Sequence, residues 1–262
     1  ASGMRPLDNP RTMSTEPGAE RANPLDRFGH APLQRAGGWL PFDRFMALAL
    51  YSPGLGYYAN SLAKFGQMPS SGSDFVTAPE LSPLFGQSVA VAVDDALTHT
   101  GTREVWEFGA GSGALAGQLL ESLGERIERY TIVDLSGTLR ERQQQALAPW
   151  GAKVRWLSEL PDAMQGVVVG NEVLDAMPVK LLARESGQWF ERGVVRGPDS
   201  VLRYADQPTE LRPPVDIAGA HDYLTEIHPQ AQAFVATLAD RLTRGAAFLI
   251  DYGFPEAEYY HP

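Results

Sequence analysis

From residue 103 onward, short apolar runs alternate with stretches of helical periodicity, and few architectures accommodate that alternation. Val105-Trp106-Glu107-Phe108 reads as a first strand, followed by a Gly-rich turn and a helix carrying Leu115, Leu119, Leu120 and Leu123. Gly124 stands where that helix should stop. Tyr130–Leu135 is a second strand, Gly137–Leu147 a helix and Lys153–Leu157 a third strand. Val167-Val168-Val169 makes an uninterrupted apolar fourth strand that runs into Gly170-Asn171-Glu172. A helix opening at Pro229 places Phe234, Leu238 and Leu242 at i, i+4 and i+8, ends at Gly245 and leads into a fifth strand, Ala246–Asp251. Strands this apolar are buried on both faces, which requires a parallel sheet between layers of helix: an α/β chain of Rossmann-like winding.

Residues 180–225 break the rhythm. Lys180–Ala183, Trp189–Val195 and Val201–Tyr204 read as short antiparallel strands joined by Gly- and Pro-containing turns, a small β-rich insertion between strands four and five. Before the alternation begins, residues 1–36 show no apolar period and read as a flexible arm. Residues 37–100 read as a helical N-terminal cap: Pro41 opens a helix whose face carries Phe42, Phe45, Met46, Ala49 and Leu50, and Ser82-Pro83 opens another running to about Leu97. Residues 101–262 then form the Rossmann-like domain with its insertion.

The net charge of −10 repels phosphate backbones and argues against sequence-independent nucleic-acid binding, while suiting a basic protein partner. With no cysteine, disulfides, thiolate nucleophiles and cysteine-based zinc sites are excluded together. The histidines (His30, His99, His221, His228 and His261) show no metal-ligating spacing, so no metal is expected; His228, before Pro229, is the one that could edge a site. No apolar stretch approaches the roughly 18 residues of a membrane span, and no secretory signal is visible. A soluble intracellular enzyme is the expectation.

The chemistry sits in Glu107-Phe108-Gly109-Ala110-Gly111-Ser112-Gly113-Ala114, where the first strand becomes a helix. Glycine there permits positive φ and lets a ligand approach the backbone, and the free amides of the helix start face the same space. Asp134 ends the next strand at the spacing of a ribose-binding acid, with Leu135 beside it. Gly109, Gly111 and Ala114 also satisfy the dinucleotide fingerprint, so NAD(P) must be weighed. Electrostatics favours the other choice. A pyrophosphate at this turn would face Glu107, a repulsion of about 2–3 kcal/mol at roughly 6 Å and an effective dielectric of about 20. S-adenosyl-L-methionine brings a sulfonium and an ammonium, which a carboxylate attracts. The plain alternative is a tight turn without a ligand, which the acid at Asp134 and the apolar strand series weaken.

With these residues in view, the chain resembles the MidA family of methyltransferases, whose mitochondrial members assist assembly of respiratory complex I by methylating arginine on a subunit. The likeness rests on Gly37–Tyr58 (GGWLPFDRFMALALYSPGLGYY), Ser73–Gly86 (SDFVTAPELSPLFG), Glu107–Gly113 (EFGAGSG), Asn171–Pro178 (NEVLDAMP) and Leu249–Gly253 (LIDYG). It implies a class I methyltransferase sheet using S-adenosyl-L-methionine, with Glu107, Gly109, Gly111 and Gly113 holding the cofactor and Asp134 toward its ribose. It further implies that Thr77, Pro79 and Glu80 close the site, against the simpler reading of these residues as a helix-entry turn. By the same resemblance the location is cytoplasmic in a bacterium and the mitochondrial matrix in a eukaryote. Sheets of this class usually have seven strands, whereas Pro262 follows soon after the fifth, so the last strands are expected to lie outside this chain.

Asn171, Glu172 and Asp175 form a polar set at the end of strand four, where ligands of doubly wound sheets bind. Carboxylates can grip a guanidinium in two places and localise its charge on the nitrogen that is not methylated. Glu172 is the first candidate for that role and Asp175 the second; capping of the next helix is the competing reading. Three functions follow for testing: a protein methyltransferase acting on arginine, an NAD(P)-dependent oxidoreductase, and a non-catalytic assembly protein retaining the fold.

Overall fold

The computed structural model describes residues 32–58, 77–134 and 137–261. The expected N-terminal arm falls largely, and Leu135 wholly, outside the described residues. Trp39–Pro41 (β1) and Phe42–Tyr51 (α1) come first, then Ala78–Leu81 (α2) and Pro83–Thr100 (α3). Ser82 caps α3 through a bond from the Leu84 amide, Pro83 takes the first position, and left-handed Gly101 ends the helix.

The alternation follows as Glu104–Phe108 (β2), Ala114–Leu123 (α4), Arg129–Val133 (β3), Gly137–Ala146 (α5), Val154–Leu157 (β4) and Met164–Asn171 (β5). Next are Lys180–Glu185 (β6), Gln188–Arg196 (β7), Leu202–Pro208 (β8), Tyr223–Ile227 (β9), Pro229–Arg241 (α6), Leu242–Ile250 (β10) and Glu256–Tyr259 (α7). No helix among the described residues is long and apolar enough to cross a membrane.

Two sheets result. The first runs β10-β5-β2-β3-β4, all parallel. Its successive side chains go to opposite faces. Val105, Val167 and Val169 join Val93 of α3 and Leu119 and Leu120 of α4 in one core. Trp106, Phe108 and Val168 pack with Phe234 and Leu238 of α6 in the other, where Phe108 and Phe234 meet edge to face at 5.0 Å. Helices thus cover both faces, as the apolar strands demand. The chain winds outward from β2 through β3 to β4, then returns to β5 and β10, so the switch point lies between β2 and β5.

The second sheet is antiparallel. β7 pairs β8 along one edge, and β6 and then β1 along the other, while β9 adds outside β6. Two of its strands carry no clear sequence signal. β1 is three residues long, and β9 exists through its register with β6, Leu182 opposite Thr225. The N-terminal segment is therefore joined to the β-rich insertion by main-chain pairing as well as by helix packing.

One boundary differs from expectation. Helix α6 stops at Arg241 rather than Gly245, and β10 begins at Leu242. Gly245 lies inside the strand, in register with Gly166 of β5, and a Cβ added to it would stand 1.8 Å from the Gly166 carbonyl oxygen. Close backbone approach, not helix termination, requires glycine here. Gly245→Ala should therefore cost about 3 kcal/mol, read as a fall of about 10 °C in Tm; an unchanged Tm would show that the two strands separate freely.

Candidate active site

The C-terminal ends of β2, β3, β5 and β10 share one edge of the parallel sheet, and the candidate residues gather there. After β2, Gly109, Gly111 and Gly113 all have positive φ (63°, 53° and 86°), a conformation that side chains with a Cβ rarely adopt. A Cβ on Gly109 would also press on Val173 at 3.1 Å. The Gly113 amide bonds to Ala110 O at 2.7 Å, and Gly113 forms the N-cap of α4. The backbone thus reaches a helix start with its first amides outside the helical ladder.

Glu107 lies beneath this turn at only 2% exposure. The Tyr130 hydroxyl donates to its Oε2 at 2.8 Å. Burial lifts its pKa to about 7; the Tyr130 bond opposes the rise and the nearby Asp134 charge adds to it. Asp134 follows β3, and its Oδ2 accepts from Gln143 Nε2 at 2.9 Å. The same nitrogen donates to Gly111 O at 3.1 Å, and Gln143 Oε1 accepts from Trp156 Nε1 at 2.9 Å. Gln143 is fully buried although it stands in the polar run Arg140-Glu141-Arg142-Gln143-Gln144-Gln145, which reads as a solvated helix face. Its neighbours Arg142 and Gln144 are exposed. Its spacing, four residues from both Leu139 and Leu147, sets it on the inward face of the helix, a signal that sequence reasoning did not use.

Thr77, Pro79 and Glu80 form a helix-entry turn at α2, the simpler of their two readings, where the Thr77 amide reaches Glu80 Oε2 at 3.4 Å. Pro79 is buried, and its carbonyl accepts from Gln118 Nε2 of α4 at 2.7 Å; Gln118 Oε1 accepts in turn from the Gly86 amide at 3.1 Å. One glutamine therefore fastens this segment to the helix that leaves the glycine turn. Residues 73–76 of the same motif lie outside the described residues.

Asn171, Glu172 and Asp175 are brought together after β5. Asn171 Nδ2 donates to Glu172 Oε1 at 3.3 Å, while Oε2 is buried and makes no hydrogen bond. Glu172 has φ 52°, a strained conformation for a residue other than glycine. Burial raises its pKa, as do Asp175 and Asp251, whereas Asn171 and the Ala78 amide pull it down. Asp251, just past β10, accepts from the Leu174 and Asp175 amides at 2.8 and 3.2 Å and so caps the turn carrying Asp175. Burial and Asp251 raise the Asp175 pKa in the same way.

Tyrosines border this group, which sequence reasoning did not single out. The Tyr51 hydroxyl donates to Ala176 O at 2.6 Å, and the Tyr51 and Tyr58 rings stack at 5.7 Å. Both phenols are pushed up to about 12, chiefly by burial, with Asp175 adding to it. His228 comes to the same turn and pairs a ring nitrogen with Met177 O at 3.1 Å.

Glu107 supplies a pH test. Its carboxyl binds a proton more tightly folded, at about 7, than at its ordinary value of 4.5. The stability tied to that proton is complete below pH 4.5 and is lost as pH rises toward 7, a loss on the order of 3 kcal/mol. Urea melts at pH 5 and 7.5 should show this decline for the protein but not for Glu107→Gln; parallel pH profiles would place Glu107 in contact with water.

Comparison with known proteins bears on this site. A family model described as "Putative S-adenosyl-L-methionine-dependent methyltransferase" matches residues 88–262. The crystal structure of a Burkholderia thailandensis protein bound to S-adenosyl-homocysteine superposes with a TM-score of 0.84 at 50% identity, covering 90% of this chain and 64% of that one. Curated relatives include the Caenorhabditis elegans mitochondrial protein arginine methyltransferase NDUFAF7 homolog, 26% identical over 89% of this chain. The Homo sapiens mitochondrial protein arginine methyltransferase NDUFAF7 is 25% identical over 97% of this chain. This chain spans 62% of the length of each of these two relatives. With the glycine turn, its paired carboxylates and the matched family model in agreement, the chain belongs to the MidA family of S-adenosyl-L-methionine-dependent methyltransferases.

Proposed function

We propose that the protein transfers a methyl group from S-adenosyl-L-methionine to an arginine side chain of a protein substrate. The observation that carries the reading is the glycine turn between two carboxylates, Glu107 beneath it and Asp134 beside it, at the switch point of the parallel sheet. A cationic nucleoside fits this cradle, since the backbone leaves room where side chains would stand and the local charge is negative. When bound, the cofactor supplies a methyl group on a positively charged sulfur. Gly109, Gly111 and Gly113 would lie against it, with Asp134 toward the ribose. Glu107 would act from below, as a negative charge once it has lost the proton that burial makes it hold to about pH 7. The S-adenosyl-homocysteine bound by the Burkholderia thailandensis protein supports the choice.

Arginine follows from the second group of acids and from the relatives' names. Glu172, Asp175 and Asp251 make no ion pair among the described residues, so the turn after β5 is short of positive charge. A substrate guanidinium has the donors to satisfy Glu172 Oε2, whose unmade bond otherwise costs about 1–3 kcal/mol. Glu172 orients it and draws charge away from the reacting nitrogen; Asn171 fixes the other carboxylate oxygen. Asp175 adds to the field. The Tyr51 and Tyr58 rings provide π surface that a planar cation favours. Thr77, Pro79 and Glu80, held by Gln118, would close the site from the N-terminal side. Correct placement of the nucleophile supplies a large part of such a reaction's rate.

The deciding experiment is transfer of radiolabelled methyl groups to extract proteins from cells lacking this protein, followed by mass spectrometry of each labelled band. Methylarginine supports the reading, whereas cofactor binding without transfer to any band leaves an assembly protein. A melting temperature raised by NAD(P) and not by S-adenosyl-homocysteine would favour an oxidoreductase. Glu172→Gln should lower turnover about 100-fold while S-adenosyl-homocysteine affinity changes less than about twofold; full activity would remove Glu172 from the site. Gly111→Val should abolish cofactor binding in calorimetry with the fold retained, and unchanged affinity would discard the cradle.

A further inference from the structure

The structure assigns Gln143 a positioning role: it fixes the Asp134 carboxylate so that the cradle selects a nucleoside with its ribose hydroxyls intact. The assignment rests on the reading of Asp134 as the ribose acid. Gln143 is fully buried and spends its side chain entirely on the protein. Its Nε2 donates to Asp134 Oδ2 at 2.9 Å and to Gly111 O at 3.1 Å, and Oε1 accepts from Trp156 Nε1 at 2.9 Å. Both amide hydrogens are engaged, so Gln143 acts on a ligand through Asp134 and the glycine turn, not by touching it.

The choice of side chain has a chemical reason. Lysine or arginine at this place would pair with Asp134 as a cation, offset its charge and compete with hydroxyl donors. A neutral amide holds one carboxylate oxygen and leaves the negative charge in place. The three bonds also determine where the amide sits, because they join β3, β4 and the turn after β2 in one network. Rotation of the Asp134 carboxyl would break the 2.9 Å bond and leave a buried amide hydrogen without an acceptor, which is costly. The carboxylate is thereby set in advance of ligand binding, and preorganisation of this kind is what ligand discrimination needs.

Calorimetry with two ligands separates positioning from general support of the fold. The protein should bind S-adenosyl-homocysteine at least about tenfold more tightly than its 2′,3′-dideoxy analogue, the value of one charge-assisted hydrogen bond. Gln143→Leu should weaken S-adenosyl-homocysteine about tenfold and change the analogue less than about twofold, so that discrimination collapses. Equal weakening of both ligands would make Gln143 a packing residue only, and discrimination kept in the variant would show that Asp134 needs no support; either result overturns the assignment. If the unmodified protein itself ignores the ribose hydroxyls, the reading of Asp134 fails first and the assignment falls with it. Should Gln143→Leu fail to fold, Gln143→Asn, one methylene shorter and still polar, withdraws the amide from Asp134, and the same collapse is expected.

Discussion

Val167, Val168 and Val169 are wholly shielded from solvent, and a strand shielded on both faces must lie between two layers of structure. That constraint places everything else. With helices α3 and α4 on one face and α6 on the other, β5 can only sit inside the sheet, next to β2 and β10. The connections then have to leave from one edge, so the glycine turn after β2 and the Asn171–Glu172 corner after β5 come out side by side. The candidate site is a consequence of burying these valines. It is not assembled separately from the fold.

At that edge the protein accepts an electrostatic cost. Glu107 is a carboxyl with almost no contact with water, and among the described residues the donor that compensates it is Tyr130, itself fully buried and with its pKa raised by burial and by Glu107. Replacing such a pair with apolar groups would often be neutral or stabilising. Its presence one residue from the glycine turn, in a position that weakens the fold as pH rises, is the signature of a residue kept for the electrostatics of the cradle. The polar contacts around Gln143 follow the same pattern, with every donor on the amide used inside the protein.

The parallel sheet could be read from the chain because its strands are unbroken apolar runs and its turns carry glycine where φ is positive, as at Gly109 and Gly113. The end of α6 could not. Gly245 resembles a helix stop locally, and only its distance from the Gly166 carbonyl reveals its purpose. The same holds for β1, whose three residues form a strand because β7 is there to pair with. In the site, glycines and acids at strand ends were legible because their spacing is local. Gln143, Gln118, Tyr51 and Tyr58 were not, since each is defined by a spatial partner that no motif marks: Gln143 by Asp134, Trp156 and Gly111, Gln118 by Pro79 and Gly86, Tyr51 by Ala176 and Tyr58 by Tyr51.

The Tyr51 contact is one of several that converge on the turn after β5 from distant parts of the chain. Its amides at Leu174 and Asp175 are taken by Asp251 from β10, its carbonyl at Ala176 by Tyr51 from α1, and its carbonyl at Met177 pairs with His228 at the start of α6. The Glu172 amide bonds to Ile250 O at 2.9 Å. A left-handed backbone at glutamate is unfavourable by about 1–3 kcal/mol and persists only where the surroundings over-determine it. Here three elements from distant parts of the chain do so. The result is a carboxylate held with one oxygen buried and unbonded, in a place from which a relaxed backbone would withdraw it. Strain at Glu172 and the clamp around it are two sides of one arrangement.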